Sequence, residues 1–258
     1  MIFVLGHSDI GYEANITGGV YRDELDETML NNSLITAVCR TLDNTELVLD
    51  ITLNESKDIE VLGIINHNLS TSGTYQWECF SDILRTVSVY DTGVINVYEY
   101  NKDLIHPSTC DALDRPITNV FWRLTINDTN AFGYMEIGRL FMGERFVTGC
   151  NLSQGYKFGV QTDNTVRLES SIGIEVFPQS VKIREAYLPF DQEEYDVGLD
   201  YTKLSLSNGI SDALLFEFDP AIKNKGIHTM ICRQQAISAI DYPFHNINNF
   251  SIHLKEII

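Results

Sequence analysis

Residues able to do chemistry are few and scattered along the chain. Gly6-His7-Ser8-Asp9-Ile10-Gly11 gathers a histidine, a serine and an aspartate. A hydrolytic triad needs such groups to converge in space, and the spacing here is not that of the G-x-S-x-G elbow that lifts a serine onto a strained turn. The six histidines, His7, His67, His106, His228, His245 and His253, form no H-x-x-x-H or H-x-x-E-H pattern, so no zinc site is expected. Asp111, Asp114 and Asp128 lie in or near turns, where carboxylates and carbonyls can hold calcium. No segment has the alternating D-x-D-x-D-G pattern, and solvated loop acids are the expectation. Gly18-Gly19 lacks the context of a phosphate-cradling loop, and no cofactor is implied. Paired carboxylates, the signature of a glycosidase, are left open by 36 acidic residues, because sequence does not give their separation.

These groups have to be positioned mainly by strands. Leu47, Leu49, Ile51 and Leu53 alternate along one segment, and Trp122, Leu124 and Ile126 along another. Residues 94–100, 181–187, 214–219 and 229–233 behave similarly. Period-two alternation marks half-buried strands, since successive side chains point to opposite faces. Turn residues separate them, as in Ser70-Thr71-Ser72-Gly73 and Asn127-Asp128-Thr129-Asn130. The expected class is all-β, a sandwich or barrel. Only residues 23–30 and 201–209 read as short helices, the second stopped by Gly209. The acidic run 191–196 reads as a domain boundary or an exposed loop.

With 18 basic against 36 acidic residues the net charge is −18 and the pI near 4.5. Such a surface repels phosphate backbones and anionic headgroups, so neither nucleic-acid binding nor membrane insertion is expected. No apolar run approaches the ~20 residues of a spanning helix. Five scattered cysteines with no C-x-x-C pair read as buried free thiols.

Two segments are more specific. Ile59–Ile65 is an apolar strand running into Asn66-His67-Asn68-Leu69-Ser70. Some fifty residues later, Phe121-Trp122-Arg123-Leu124 leads through an Asn/Asp turn into Gly133-Tyr134-Met135-Glu136-Ile137-Gly138-Arg139-Leu140-Phe141-Met142-Gly143. Together, over roughly residues 30–145, they resemble the galactose-binding-domain-like β-sandwich of tailed-bacteriophage virion proteins, especially minor tail and tail-tip-associated ones. The resemblance implies a jelly-roll sandwich over 31–148. Residues 1–30 lie outside it, and since their glycine-rich stretch lacks sandwich patterning they read as an N-terminal arm. A further β-rich region over 149–258 would be either a second domain or the completion of the first sandwich. It implies structural roles for His67, Asn68, Leu69, Trp122, Arg123, Gly133, Tyr134, Glu136, Gly138, Arg139 and Gly143. Trp122 is expected in the core, and His67 with Asn68 as caps on backbone groups.

The resemblance further implies a non-enzymatic structural component of a virion, made in the host cytoplasm. Its partners would be other phage virion subunits, with this chain in a homo-oligomeric ring or in several copies. The alternative is a receptor-binding module that holds a host glycan through loops 70–74, 91–93 and 127–132. That alternative predicts exposed aromatics beside Asn, Asp or Arg at one end of the sandwich. The arm, with its glycine-rich 11–19 stretch, would order only on assembly.

Overall fold

A computed structural model describes residues 3–22, 24–98, 106–150, 152–163, 168–169, 175–176, 182–219 and 225–257. The distal part of the expected strand 94–100 and the turn at Asn224 lie outside the described residues. The fold is all-β. The strands of the first half are β1 (Phe3–His7), β2 (Asn15–Gly18), β3 (Cys39–Arg40), β4 (Glu46–Thr52), β5 (Asp58–His67), β6 (Thr74–Phe80), β7 (Ser88–Asp91), β8 (Ile95–Asn96), β9 (Asp111–Thr118), β10 (Phe121–Asn127) and β11 (Glu136–Arg145). The second half adds β12 (Lys157–Asp163), a small pair β13 (Leu168–Glu169) and β14 (Glu175–Val176), and β15 (Lys182–Glu194), which runs into helix α1 (Tyr195–Asn208). Then come β16 (Leu214–Phe218), a single helical turn α2 (Lys225–His228), β17 (Thr229–Ile237), β18 (Asp241–Phe244) and β19 (Ile247–Glu256). No helix among the described residues is long and apolar enough to cross a membrane.

Strands β2-β4-β10-β6-β7 form one antiparallel sheet. Its inward residues include Leu47, Leu49, Ile51, Trp77, Trp122, Leu124 and Ile126, which pack on Ile59, Ile64, Ile137, Leu140 and Met142 of β5 and β11. Burial of these alternating faces is the main driving force for the sandwich. β5 and β11 also bury their other face. Val61, Ile65 and Phe141 pack under Ala213, Leu215 and Ile231 of the second half. The near-continuous apolar run of β5 therefore reflects a strand covered on both sides.

β1 joins the two halves. It pairs antiparallel with β11 (Gly6 opposite Arg145) and with β16 (Phe3 opposite Phe218), giving one sheet in the order β12-β15-β19-β17-β16-β1-β11-β5-β9. This corrects the expected arm over 1–30. Phe3 and Leu5 are fully buried, Phe3 among the rings of Phe190 and Phe216, so the segment is an interior strand with apolar side chains to match. Within the glycine-rich stretch, β2 pairs with β4, and the Asn31 amide donates to the carbonyls of Tyr12 and Ala14. At Gly143, a Cβ would lie 2.2 Å from the His7 carbonyl oxygen, so the close approach of β1 to β11 requires glycine there.

The acidic run 191–196 is neither a boundary nor a loop. It is the junction of β15 and α1, where Glu193 is fully buried and accepts hydrogen bonds from the backbone N–H groups of Gly149 (3.0 Å) and Cys150 (3.3 Å). Helix α1 begins at Tyr195, upstream of the expected 201. It buries Gly198, Tyr201, Leu204, Ser205 and Asn208, a helical stripe, and ends at Gly209 with φ 55°. The other expected helix is a 3-10 turn over Glu27–Asn31, capped by Asp26. Four cysteines are buried thiols, and Cys150 is exposed.

Candidate functional site

The ends of β5 and β10 and the starts of β6 and β11 bring loops 68–73 and 128–135 together at one end of the sandwich. Asp128 organises them. Its buried carboxylate accepts from Ser70 N (3.0 Å), the Ser70 hydroxyl, Thr129 N (2.8 Å) and Asn130 Nδ2 (3.0 Å). The Asn130 amide also donates to the Tyr134 carbonyl (2.9 Å), and its Oδ1 accepts from Phe132 N (3.0 Å). Asn44 donates to the Asn130 carbonyl (2.6 Å). The loop between β10 and β11 is thus held by side chains from three segments, which fixes it before any ligand arrives.

Several motif residues belong to this frame. Asn68 donates to the Tyr134 carbonyl (3.1 Å), and its Oδ1 accepts from Glu136 N (2.8 Å). His67 Nδ1 accepts from Leu69 N at 3.3 Å, and Leu69 is fully buried. Burial pushes the His67 pKa down to about 4, against the pull of Asp128, so its ring is neutral near pH 7. Gly133 has φ 74° with open space around it, so backbone conformation rather than crowding selects glycine there.

The frame presents aromatic and cationic groups outward. Phe132 is 63% exposed, with its ring 6.1 Å from that of the half-buried Tyr134. The guanidinium of Arg40 sits 4.5 Å from the Tyr134 ring centre and that of Arg22 at 5.1 Å. Arg40 is held by Glu136, Nε to Oε1 at 2.7 Å. Arg22 is exposed and has no acid partner among the described residues. Phe132 therefore offers an exposed ring, and Arg22, set against the same Tyr134 ring, offers donors with no acid partner among the described residues.

The remaining motif residues lie elsewhere. Trp122 is fully buried in the core, with Nε1 donating to the Asn119 carbonyl (3.0 Å). Arg123 meets Asp50 across β10 and β4 (2.8 Å). Gly138 lies against the Ile35 carbonyl, where a Cβ would sit 2.3 Å away, and Gly143 against β1. Arg139 points to the far side of β11 and pairs with Asp9 (2.5 Å). Loop 91–93 runs along the β6 edge, where Thr92 N donates to the Trp77 carbonyl (3.0 Å), rather than joining the loop end. Asp111 accepts from Tyr75 and Tyr98 hydroxyls, apart from Asp128, and among the described residues no group of three or more metal-ligating side chains converges. Arg22 and Arg40 escaped sequence reading because both lie far from Tyr134 in sequence, Arg40 reaching it through the β3–β11 pairing and Arg22 through the bond from its N–H to the Arg40 carbonyl.

No protein-family model matches the chain, and no curated protein matches it by sequence. By structure it is similar to a family 32 carbohydrate-binding module of Clostridium perfringens NanJ, solved in complex with galactose. The TM-score is 0.42 at 16% identity, covering 54% of this chain and 99% of that one. It is also similar to the family 32 module of Streptococcus pneumoniae EndoD (TM-score 0.40, 18% identity, 53% and 99% covered) and to a fucose-binding module of S. pneumoniae (0.41, 13%, 53% and 98%). These structures are carbohydrate-binding modules rather than virion subunits, and each matches only about half of this chain.

Proposed function

We propose that the chain is a non-catalytic recognition module whose loop end binds a glycan. The observation that carries this reading is the exposed Phe132 ring on an Asp128-fixed loop, with Arg22 against the neighbouring Tyr134 ring. A sugar ring presents an apolar C–H face and a rim of hydroxyls. Phe132 would pack against the first, and Arg22 would donate to the second. Because the loop is already ordered, little conformational entropy is lost on binding. The test is a glycan array probed with the full chain, followed by calorimetry on the best hit. Phe132→Ala is expected to weaken binding at least tenfold without lowering the melting temperature. An array without a saturable binder, or a Phe132→Ala protein that binds as well as wild type, would overturn the reading.

A second reading, a subunit of a larger assembly such as a phage tail, draws on the edge strand β7. The adjoining loop is fixed by Asp82, which accepts from Thr86 N (3.0 Å) and Val87 N (2.8 Å), yet it leaves Ile83 66% and Leu84 79% exposed. An apolar knob beside a strand edge with no partner strand among the described residues suits strand addition by another chain. Wild type would then self-associate in sedimentation velocity and Leu84→Asp would not. A wild type that is monomeric at every concentration removes the self-association form of this reading.

A further inference from the structure

We infer that a second, separate binding site lies in the cleft between the sandwich and the C-terminal end of α1, and that it takes a neutral, polyhydroxylated ligand the size of a monosaccharide. The cleft has a volume near 400 Å³ and shares no lining residue with the loop end. Small-molecule sites span about 300–1,000 Å³.

The lining is chemically specific. Three cations, Lys57, Arg139 and Arg233, face three acids, Asp9, Glu13 and Asp212, so 3 − 3 leaves the cleft neutral in a chain of net charge −18. A charged ligand finds no net field to recruit it, whereas a neutral ligand finds donors and acceptors in equal supply. Four serines add hydroxyls that can act either way.

The charged groups divide into fixed and available ones. Asp9 is engaged on both oxygens, since Oδ1 accepts from Gly11 N (2.9 Å) and Met142 N (3.0 Å) and Oδ2 from Arg139. Its work is to hold Arg139, whose guanidinium also lies 5.0 Å from the Tyr12 ring centre. Arg139 Nε is itself buried and has no acceptor among the described residues, so the Nη side of the guanidinium is the edge that can face the cleft. Glu13 and Asp212 already accept from hydroxyls, those of Tyr12 and Ser211, and a carboxylate has room for more. Arg233 is exposed and has no acid partner among the described residues. Ligand hydroxyls would thus donate to Glu13 and Asp212 and accept from Arg233 and the guanidinium edge of Arg139. Since the lining comes from both halves of the chain, the ligand would clamp them together.

The test is calorimetry and saturation-transfer NMR on the full chain, with D-galactose, D-glucose and D-mannose as neutral probes and D-galacturonate and glycine as charged and zwitterionic ones. At least one neutral hexose should bind saturably. Measured in a Phe132→Ala background, which removes any contribution of the loop end, Asp212→Asn and Arg233→Ala, both surface changes, should each weaken it about tenfold. Three results would overturn the inference: no hexose binds; galacturonate or glycine binds more tightly than every hexose; or Phe132→Ala abolishes binding that Asp212→Asn and Arg233→Ala retain. The last result would assign the sugar to the loop end alone.

Discussion

Two buried arginine–carboxylate pairs, one in each half of the molecule, separate scaffold from site. In the second half, every side-chain nitrogen of Arg184 donates: Nε and Nη2 to Glu256, and Nη1 to the carbonyls of Ile227 (2.9 Å) and Thr229 (2.7 Å). The other Glu256 oxygen accepts from Arg184 N (2.9 Å). No side-chain nitrogen is without an acceptor, and four of the five guanidinium N–H groups are used. In the first half, Arg139 is nearly as buried, yet it spends one nitrogen on Asp9, leaves Nε unmatched and borders an open cleft. Burial alone does not distinguish the two. Completeness of hydrogen bonding does, because an unmatched buried donor costs stability that only a role elsewhere offsets.

The comparison can be broken by mutation. The largest effect is expected for Arg184→Ala, which strands the Glu256 charge in a closed interior and should cost about 3–5 kcal/mol in urea denaturation. Arg139→Ala should cost less, about 1–3 kcal/mol, because Asp9 keeps two backbone donors and the cleft admits water. If Arg139→Ala proves the more damaging, the contrast fails.

Acidification sharpens the same comparison. His7, beside Asp9 in sequence, and His106, near Arg184 and Glu256, both have pKa values lowered by burial, His7 to about 4. With His67 also near 4, these imidazoles bind more protons in the unfolded chain than in the folded one between pH 6.5 and 4. Their contribution to stability should therefore fall as pH drops through that window, by roughly 1–3 kcal/mol for each of His7 and His67, opposed in part by Asp9, Glu144 and Glu193, whose carboxyls burial pushes up. A denaturation midpoint flat from pH 7 to 4.5 would contradict those environments. The smallest effect is Arg233→Ala, expected within about 0.5 kcal/mol of wild type, since the side chain is exposed and has no acid partner among the described residues.

Much of the sandwich is legible from alternation. Leu47–Ile51 and Trp122–Ile126 fall on inner faces, as period two requires. The role of Phe3–His7 is not legible, because a short apolar run, Phe3-Val4-Leu5, reads alike as part of an arm or of an interior strand until its partners, β11 and β16, are known. The long α1 is obscured by an acidic start, Glu194-Tyr195-Asp196, which resembles a solvated loop yet favours a helix N-terminus. At the loop end, the Asn/Asp turn points to residues 127–132, but Arg22 and Arg40 arrive through space. The cleft is least legible of all, since it exists only where two halves meet.

The shared strand β1 also sets a timetable for biosynthesis. Phe3 pairs with Phe218, 218 − 3 = 215 residues later. At about 5–20 residues per second, roughly 10–40 s separate the emergence of the two from the ribosome. Until then the Phe3 and Leu5 side chains have no finished core to enter. Such a long-range closure slows the final folding step and leaves a sticky apolar strand on the nascent chain, a hazard that a chaperone or a rapid early pairing with β11 would have to contain.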